Sequence, residues 1–208
     1  MTREIVIASR NAGKIVEIRQ IFAELPVRLT SLEDYPGAPA VREDGVSYAD
    51  NARKKAVEIA RATGRWALSD DSGLEVDALS GRPGVHSARY SGAKATDASN
   101  NEKLLMELEA VGEDRRTARY QAVVVVADET GKVVAEAGGS VEGLIGREFR
   151  GTAGFGYDPL FVVPEFGLTM AEIGLEIKNR ISHRAEALIR LRETLEPLLR
   201  RLDLPDPC

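Results

Sequence analysis

Near the start of the chain, the spacing of the apolar residues changes abruptly from a continuous run to the spacing of a helix face. A short apolar run covers residues 4–9, and a polar turn at residues 9–14 follows it. The next apolar residues are spaced as on one face of a helix: Ile15, Ile18, Phe22 and Leu25. A strand, a tight turn and a helix in succession are typical of α/β proteins. The sequence therefore predicts an α/β fold, with a mixed β-sheet flanked by helices.

The remaining segments continue this alternation. Short apolar runs bounded by turn residues predict strands, and apolar residues at helical spacing predict helices. In chain order, the further predicted elements are a strand at 27–31, a helix opened by a capping box at Ser47 and closed by Gly64, a brief strand at 66–69 that breaks at 70–73, an extended segment at 74–79, a helix at 99–111, strands at 119–128 and 132–144, and a final helix from His183 with Leu188, Leu191, Leu195, Leu198 and Leu202 on one stripe.

Length and composition fit a single domain, residues 1–208, without repeats or linkers. The chain has 28 Lys and Arg against 33 Asp and Glu, a net charge of −5. A protein that binds long nucleic acid usually has a basic surface, so a polymeric nucleic-acid partner is not expected.

The N-terminus lacks the apolar stretch of a signal peptide, and the longest apolar run, residues 122–127, is too short to cross a bilayer. We expect a cytoplasmic protein without a membrane partner.

Residues that bind soft metals are scarce. The single cysteine, Cys208, is the last residue, and the two histidines are His86 and His183. These residues cannot build a zinc site rich in thiolates or imidazoles. Any bound metal should therefore be held mainly by carboxylates, which favours Mg²⁺ or Mn²⁺.

The turn at residues 9–14 has the sequence Ser-Arg-Asn-Ala-Gly-Lys. A turn between a strand and a helix directs backbone N–H groups and the positive end of the helix at whatever lies above it, which suits a phosphate. It is not a Walker A loop, because the first glycine is missing and Ile15 follows Lys14. An ordinary connection with surface charge is the alternative.

Acidic residues form a second candidate site. Asp70 and Asp71 follow a predicted strand, and adjacent residues of a strand face opposite ways, so the two carboxylates should have different roles. One could bind a metal or activate water while the other braces the turn. A solvated turn is the alternative. The neighbouring acidic residues that favour a magnesium site are Glu43, Asp50, Glu75 and Asp77.

Two further segments could bind a flat or anionic ligand. Residues 155–159, Phe-Gly-Tyr-Asp-Pro, place aromatic rings in a glycine-rich loop, where a ring can stack on a nucleotide base. A buried aromatic pair is the alternative. His183 and Arg184 add positive charge where a helix N-terminus is already positive, a cost that an anion or carbonyl ligand would offset. Packing or capping around Ser182 is the alternative there.

Together these segments resemble the inosine triphosphate pyrophosphatases, also called the Ham1-like or RdgB-like family. The resemblance covers nearly the whole chain in order, through the segments 9–14, 43–52, 69–74, 83–92, 154–159 and 182–184. It implies hydrolysis of ITP, dITP and XTP to the monophosphate and pyrophosphate with Mg²⁺, for which Mn²⁺ could substitute. It also implies an elongated fold with two lobes, the active site in the cleft between them, and a homodimer.

The resemblance also implies residue roles. Asp71 would be the general base and a metal ligand, with Glu43 as the second metal carboxylate. His183 and Arg184 would read the 6-keto edge of the base, and Phe155 would stack on it. The complete set expected to bind substrate is Ser9, Arg10, Asn11, Ala12, Gly13, Lys14, Ser72, Phe155, Gly156, Tyr157, Asp158, Lys178, His183 and Arg184.

Selectivity should depend on the 6-position of the base. Arg184 can only donate hydrogen bonds, so the 6-amino group of adenine would face another donor, at a cost of about 1–3 kcal/mol. Two other functions are possible. A Maf-like pyrophosphatase would act on modified pyrimidine triphosphates, and a nucleotide sensor would bind without hydrolysis.

Overall fold

A computed structural model describes residues 3–202 of the chain. Its α-helices and strands, in chain order, are β1 (Arg3–Ile7), α1 (Ala12–Ile21), β2 (Val27–Ser31), α2 (Tyr48–Thr63), β3 (Trp66–Val76), α3 (Asp97–Glu107), β4 (Thr117–Ala127), β5 (Val133–Ile145), β6 (Phe161–Val163), β7 (Leu168–Thr169), α4 (Leu175–Ile181) and α5 (His183–Leu202). Cys208 lies outside the described residues. None of the helices within 3–202 combines the length and apolar character needed to span a membrane.

The strands of residues 3–202 form one seven-stranded mixed sheet in the order β2-β1-β3-β4-β5-β6-β7. The strand β1 runs parallel to both β2 and β3, whereas β6 runs antiparallel to β5 and β7. This arrangement confirms the predicted α/β class. In the parallel register Ile7 lies beside Leu68, so the turn that follows β1 and the two aspartates that follow Leu68 meet at one edge.

The chain divides into two compact units. The first contains the segment that ends at Asp71, Val123–Gly139 and the segment that begins at Arg184; the second contains Ser72–Ala122 and Ser140–His183. The first has a hydrophobic cluster in which small side chains of α2, such as Ala56, pack against Val6 and Val125. The core of the second is richer in aromatic residues and includes Tyr120 and Phe161. Each unit therefore has its own core.

Helix boundaries follow local chemistry. The hydroxyl of Ser47 accepts a hydrogen bond from the Asp50 N–H at 3.1 Å and caps the N-terminus of α2, as predicted. The same helix ends at Gly64, whose φ of 63° is in the left-handed region that favours glycine. On α5 the predicted stripe residues Leu188, Leu191 and Leu195 are buried, but the next buried leucine is Leu199 rather than Leu198. The side chain of Leu202 lies outside the described part of the structure.

The predicted break at residues 70–73 is wrong. β3 continues without interruption from Trp66 to Val76, and Asp70 and Asp71 lie buried in its middle. Aspartate is normally disfavoured in the interior of a strand. Asp70 and Asp71 are accommodated here because charged side chains from the surrounding helices approach them, which hydrophobic periodicity cannot reveal. The short helix α4 was not among the predicted elements.

Candidate functional site

The turn between β1 and α1 is organised by its own side chains. The Ser9 hydroxyl accepts a hydrogen bond from the Asn11 N–H at 3.1 Å, and Asn11 Oδ1 accepts one from the Lys14 N–H at 3.1 Å. Asn11 is therefore the N-cap of α1. The exposed residues of the turn are Arg10, Asn11 and Ala12, and the half-buried ones are Ser9, Gly13 and Lys14. The turn presents the positive end of a helix at the surface, as a phosphate site requires.

A chain of ion pairs begins at this turn and runs into the core of the first unit. Lys14 Nζ donates to Asp70 Oδ1 at 2.7 Å, and Arg184 Nε donates to Asp70 Oδ2 at 2.6 Å. Arg184 Nη1 also donates to Glu17 Oε2 at 2.5 Å. The Asp70, Arg184 and Glu17 side chains are at most 4% exposed. The network joins α1, β3 and α5, with each carboxylate oxygen of Asp70 bound to a different cation.

Charge in this network is balanced internally. Burial alone would raise the pKa of Asp70, but Arg184 and Lys14 hold it well below its ordinary value. Burial lowers the pKa of Lys14, and Asp70 opposes this change. Asp70 and Glu17 therefore already compensate the positive charge of Arg184 within the protein.

Asp71 points to the other side of β3, as the alternation of a strand requires. Its side chain is 7% exposed, and its Oδ2 atom has no hydrogen-bond partner among the described residues. Burial raises the pKa of Asp71, the nearby Lys55 opposes the rise, and Glu43 adds to it. The result is a buried carboxylate with one uncommitted oxygen beside a second carboxylate.

The loop that carries Glu43 is fixed to the start of α2. The Gly45 N–H donates to Asn51 Oδ1 at 2.8 Å. A Cβ at Gly45 would lie 2.7 Å from the Cβ of Asp50, so a larger residue would push the loop away from the helix. Glu43 itself accepts a hydrogen bond from Lys55, one turn further along α2. These contacts hold the Glu43 carboxylate near Asp71.

Asp71 and Glu43 fit the expected magnesium ion as a pair. No cluster of three or more Asp, Glu, His or Cys residues suited to a metal occurs within residues 3–202. Mg²⁺ commonly binds one or two carboxylates and takes its remaining ligands from water and substrate phosphates. The partnerless buried oxygen of Asp71 is suited to such a cation, which would also relieve the repulsion between the two carboxylates.

The other acidic residues named from the sequence have different roles. Asp50 is exposed and accepts a hydrogen bond from the Ser47 hydroxyl at 2.7 Å, within the cap of α2. Glu75 and Asp77, in the second unit, form ion pairs with Arg119 at 3.7 and 3.0 Å. Each of these three carboxylates therefore has a partner within its own unit.

In the second unit, Asp158 organises the aromatic loop. Its Oδ2 atom accepts hydrogen bonds from Lys178 Nζ at 2.7 Å and from the Phe155 N–H at 3.0 Å. Lys178 Nζ also lies 4.8 Å from the centre of the Phe155 ring, within cation–π distance. At Gly154 the φ angle is 79°, and a Cβ would lie 2.1 Å from Asp158 Oδ2, so the loop requires glycine there. Asp158 thus fixes both Lys178 and the half-buried Phe155.

The rest of the loop is anchored to neighbouring elements. The Gly156 N–H donates to Asp97 Oδ2 at 2.7 Å, and its carbonyl accepts from Asn101 Nδ2 at 2.7 Å, so α3 holds the loop from two sides. Tyr157 is buried, and its hydroxyl donates to the Ser87 carbonyl at 2.8 Å. Tyr157 therefore stabilises the loop from inside the core.

His183 begins α5, and its ring stacks on Tyr120 with the ring centres 4.7 Å apart and an angle of 14° between the planes. The Ser182 N–H donates to the Lys178 carbonyl at 3.0 Å and so ends α4 directly before His183. Ser72 is half-buried in β3, directly after Asp71.

Three residues in this arrangement escaped the sequence analysis. Glu17 follows Lys14 by three positions on α1, and this spacing is the one signal that could have placed both on the same helix face. Lys55 lies in a run of charged residues typical of a solvated helix surface. Tyr120 lies in a strand and resembles an ordinary core aromatic residue.

The fold and these groups define an α/β protein with a cationic turn suited to phosphate, a paired carboxylate site and an aromatic loop. A sequence model of the Ham1 family matches residues 5–194, and the chain belongs to that family. A dITP/XTP pyrophosphatase of Geobacter sulfurreducens is 52% identical over 195 residues, which cover 94% of this chain and 97% of that protein. One of Desulforamulus reducens is 49% identical over 195 residues, with 94% and 96% coverage.

Solved structures agree with this assignment. A HAM1 protein from Coxiella burnetii matches with a TM-score of 0.83 and 39% identity, over 96% of this chain and 100% of that one. The Ham1 protein of Staphylococcus aureus matches with a TM-score of 0.82 and 38% identity, over 94% and 100% of the two chains. The resemblance inferred from the sequence motifs is confirmed.

Proposed function

We propose that this chain hydrolyses deaminated purine nucleoside triphosphates, namely dITP, XTP and ITP, to the monophosphate and pyrophosphate, and so removes them from the nucleotide pool. The names of the curated relatives support the substrate class. The observation that carries the proposal is the buried Asp71 carboxylate, whose Oδ2 atom has no hydrogen-bond partner in residues 3–202 and which lies beside Glu43. A sensor that only bound nucleotides would gain nothing from two carboxylates close to a polyphosphate.

The polyphosphate binds at the turn of residues 9–14. The N-terminus of α1 supplies backbone N–H groups, and Lys14 supplies a positive charge. Lys55 adds a second cation close to Asp71. A triphosphate carries several negative charges, so these groups must reduce the repulsion before water can attack.

The metal supports the same step. Asp71 and Glu43 would hold Mg²⁺, or Mn²⁺ in its place, and the ion when bound neutralises phosphate charge and makes water a stronger acid. Asp71 accepts a proton from the attacking water. The water oxygen bonds to the α-phosphorus while the bond from that phosphorus to the bridging oxygen breaks. The bridging oxygen leaves as part of pyrophosphate.

One set of residues binds the ring face of the base, and another binds the group at its 6-position. Phe155 stacks on the base, and Lys178 and Ser72 contact the nucleotide. His183 and Arg184 read the 6-keto group. Asp70 and Glu17 fix the plane of the Arg184 guanidinium, so an adenine amino group would meet a donor that cannot turn away. We also propose that the enzyme is a cytoplasmic homodimer, as the family resemblance implies.

The test is a pyrophosphate-release assay with ITP, dITP, XTP, GTP, ATP and modified pyrimidine triphosphates, with and without Mg²⁺. We expect Mg²⁺-dependent turnover of the deaminated purines far above the others. Preference for a modified pyrimidine would favour the Maf-like alternative, and binding without turnover would favour a sensor.

Two variants sharpen this assay. Asp71→Asn should bind nucleotide but lose turnover, because an amide cannot accept the proton. Asp50→Asn is the matched control, because the Asp50 carboxylate accepts a hydrogen bond from Ser47, the N-cap of α2, and its neutralisation should leave turnover intact. Near-normal activity of Asp71→Asn would remove Asp71 from its role.

A further inference from the structure

Tyr120 occupies a special place in the second unit. It lies on β4, is 6% exposed, and has two aromatic neighbours, His183 and Phe161. The His183 ring is stacked on it at 4.7 Å with an interplanar angle of 14°, and the Phe161 ring lies at 4.5 Å with a tilt of 38°. Stacking at this distance restricts rotation of the imidazole, because a rotated ring would lose the face-to-face contact.

The hydroxyl of Tyr120 reaches the aromatic loop. It donates a long hydrogen bond of 3.4 Å to Asp158 Oδ1, whereas Asp158 Oδ2 accepts from Lys178 Nζ and the Phe155 N–H. Both oxygens of the carboxylate are thereby used, one toward Tyr120 and the other toward the loop. One side chain therefore contacts His183 through its ring and the carboxylate that holds Phe155 through its hydroxyl.

We propose that Tyr120 is a positioning residue for base selection, which fixes the ring plane of His183 relative to the loop that carries Phe155. The inference rests on the proposed function, because His183 and Phe155 select a base only if a nucleotide is the substrate. Tyr120 does not touch the nucleotide. It limits the orientations in which His183 meets the base edge while Phe155 holds the base face.

Three variants separate this role from simple core filling. Tyr120→Leu removes the ring and the hydroxyl, and Tyr120→Phe keeps the ring and removes only the hydroxyl. Leu104→Ala is the matched control: Leu104 is fully buried in the same hydrophobic cluster, and its loss weakens the core without removing the stack. If Tyr120 only fills space, Tyr120→Leu and Leu104→Ala should behave alike.

The first readout is proton NMR of the histidines in the protein without nucleotide. The chain has two histidines, and the exposed His86 serves as an internal reference. The ring protons of His183 should be shifted upfield by the Tyr120 ring in the wild type and in Tyr120→Phe. They should move toward the His86 positions in Tyr120→Leu and stay in place in Leu104→Ala. Unchanged His183 resonances in Tyr120→Leu would overturn the proposal.

The second readout is kinetic. Loss of one aromatic pair corresponds to a factor of about 2–12, so the kcat/KM ratio for dITP over dATP should fall by that factor in Tyr120→Leu. The loss should be in KM for dITP, since contacts to the base are made in the ground state and the transition state alike. Tyr120→Phe should retain most of the wild-type ratio, and Leu104→Ala all of it.

The outcomes distinguish the two proposals. A fall in kcat alone, at constant KM and constant dITP/dATP ratio, would mean a smaller active fraction and would refute the positioning role while leaving the proposed function intact. If the wild type turns over no deaminated purine, the proposed function fails, and the NMR comparison still decides whether Tyr120 orients His183.

Discussion

Replacing Asp70 by asparagine probes the ion-pair network at its centre. Asp70 accepts from Lys14 at 2.7 Å and from Arg184 at 2.6 Å, and its side chain is completely buried. The asparagine is nearly isosteric but neutral, so it leaves two cations without their shared carboxylate. Arg184 retains Glu17, and Lys14 is 16% exposed and can turn partly toward water.

The expected cost follows from this geometry. Breaking a buried ion pair by neutralising one partner costs about 3–5 kcal/mol, because the other charge is left uncompensated. With a urea m-value of about 2–3 kcal/mol/M, the unfolding midpoint should fall by about 1–2.5 M. The free-energy losses of Asp70→Asn and Glu17→Gln should not be additive in the double variant, because both acids bind Arg184.

The measurement is urea unfolding of Asp70→Asn beside a control from the surface. Glu24 forms an ion pair with Arg192 at 2.9 Å, but its side chain is 78% exposed. Glu24→Gln should therefore lower the free energy of unfolding by no more than about 1 kcal/mol. A loss in Asp70→Asn as small as that of Glu24→Gln would refute the argument that this network holds α1, β3 and α5 together.

Two further predictions concern the second unit. Gly154→Ala should strain the backbone at a φ of 79° and also crowd Asp158, and the weakened loop should raise KM. Gly156→Ala introduces a similar backbone strain at a φ of 63°, but its Cβ would meet open space, so it should raise KM less in the same steady-state assay. Burial, with Tyr90 and Asp97 nearby, raises the pKa of Tyr157 above its ordinary value of 10. The stability from its neutral hydroxyl is complete below pH 10 and is lost as pH rises toward the folded-state pKa, so Tyr157→Phe should flatten the alkaline fall in unfolding free energy.

Much of the fold could be predicted from local signals. The strand at Val27–Ser31 and the cap at Ser47 agree with the structure because the apolar period and the capping chemistry lie within a few residues. The break expected at residues 70–73 failed because Asp70 is compensated by cations 56 and 114 residues away in the chain. The local sequence pattern around Asp70 does not indicate partners so far away in the chain.

Only part of the candidate site could likewise be predicted from local sequence. The turn at residues 9–14 and the aromatic loop could be found because unusual residue types cluster in short segments. Glu17, Lys55 and Tyr120 could not, because a charged residue on a helix and an aromatic residue in a strand are ordinary without their neighbours. The roles of Asp71, Glu43 and the substrate-binding residues, and the cleft between two lobes, stay predictions.

The most direct measurement of the central claim is ³¹P NMR of the products formed from dITP. The account predicts deoxyinosine monophosphate and pyrophosphate in a one-to-one ratio, formed only when Mg²⁺ or Mn²⁺ is present. Release of inorganic phosphate and a diphosphate instead would contradict it, because the bond broken would then not be the one beside the α-phosphorus.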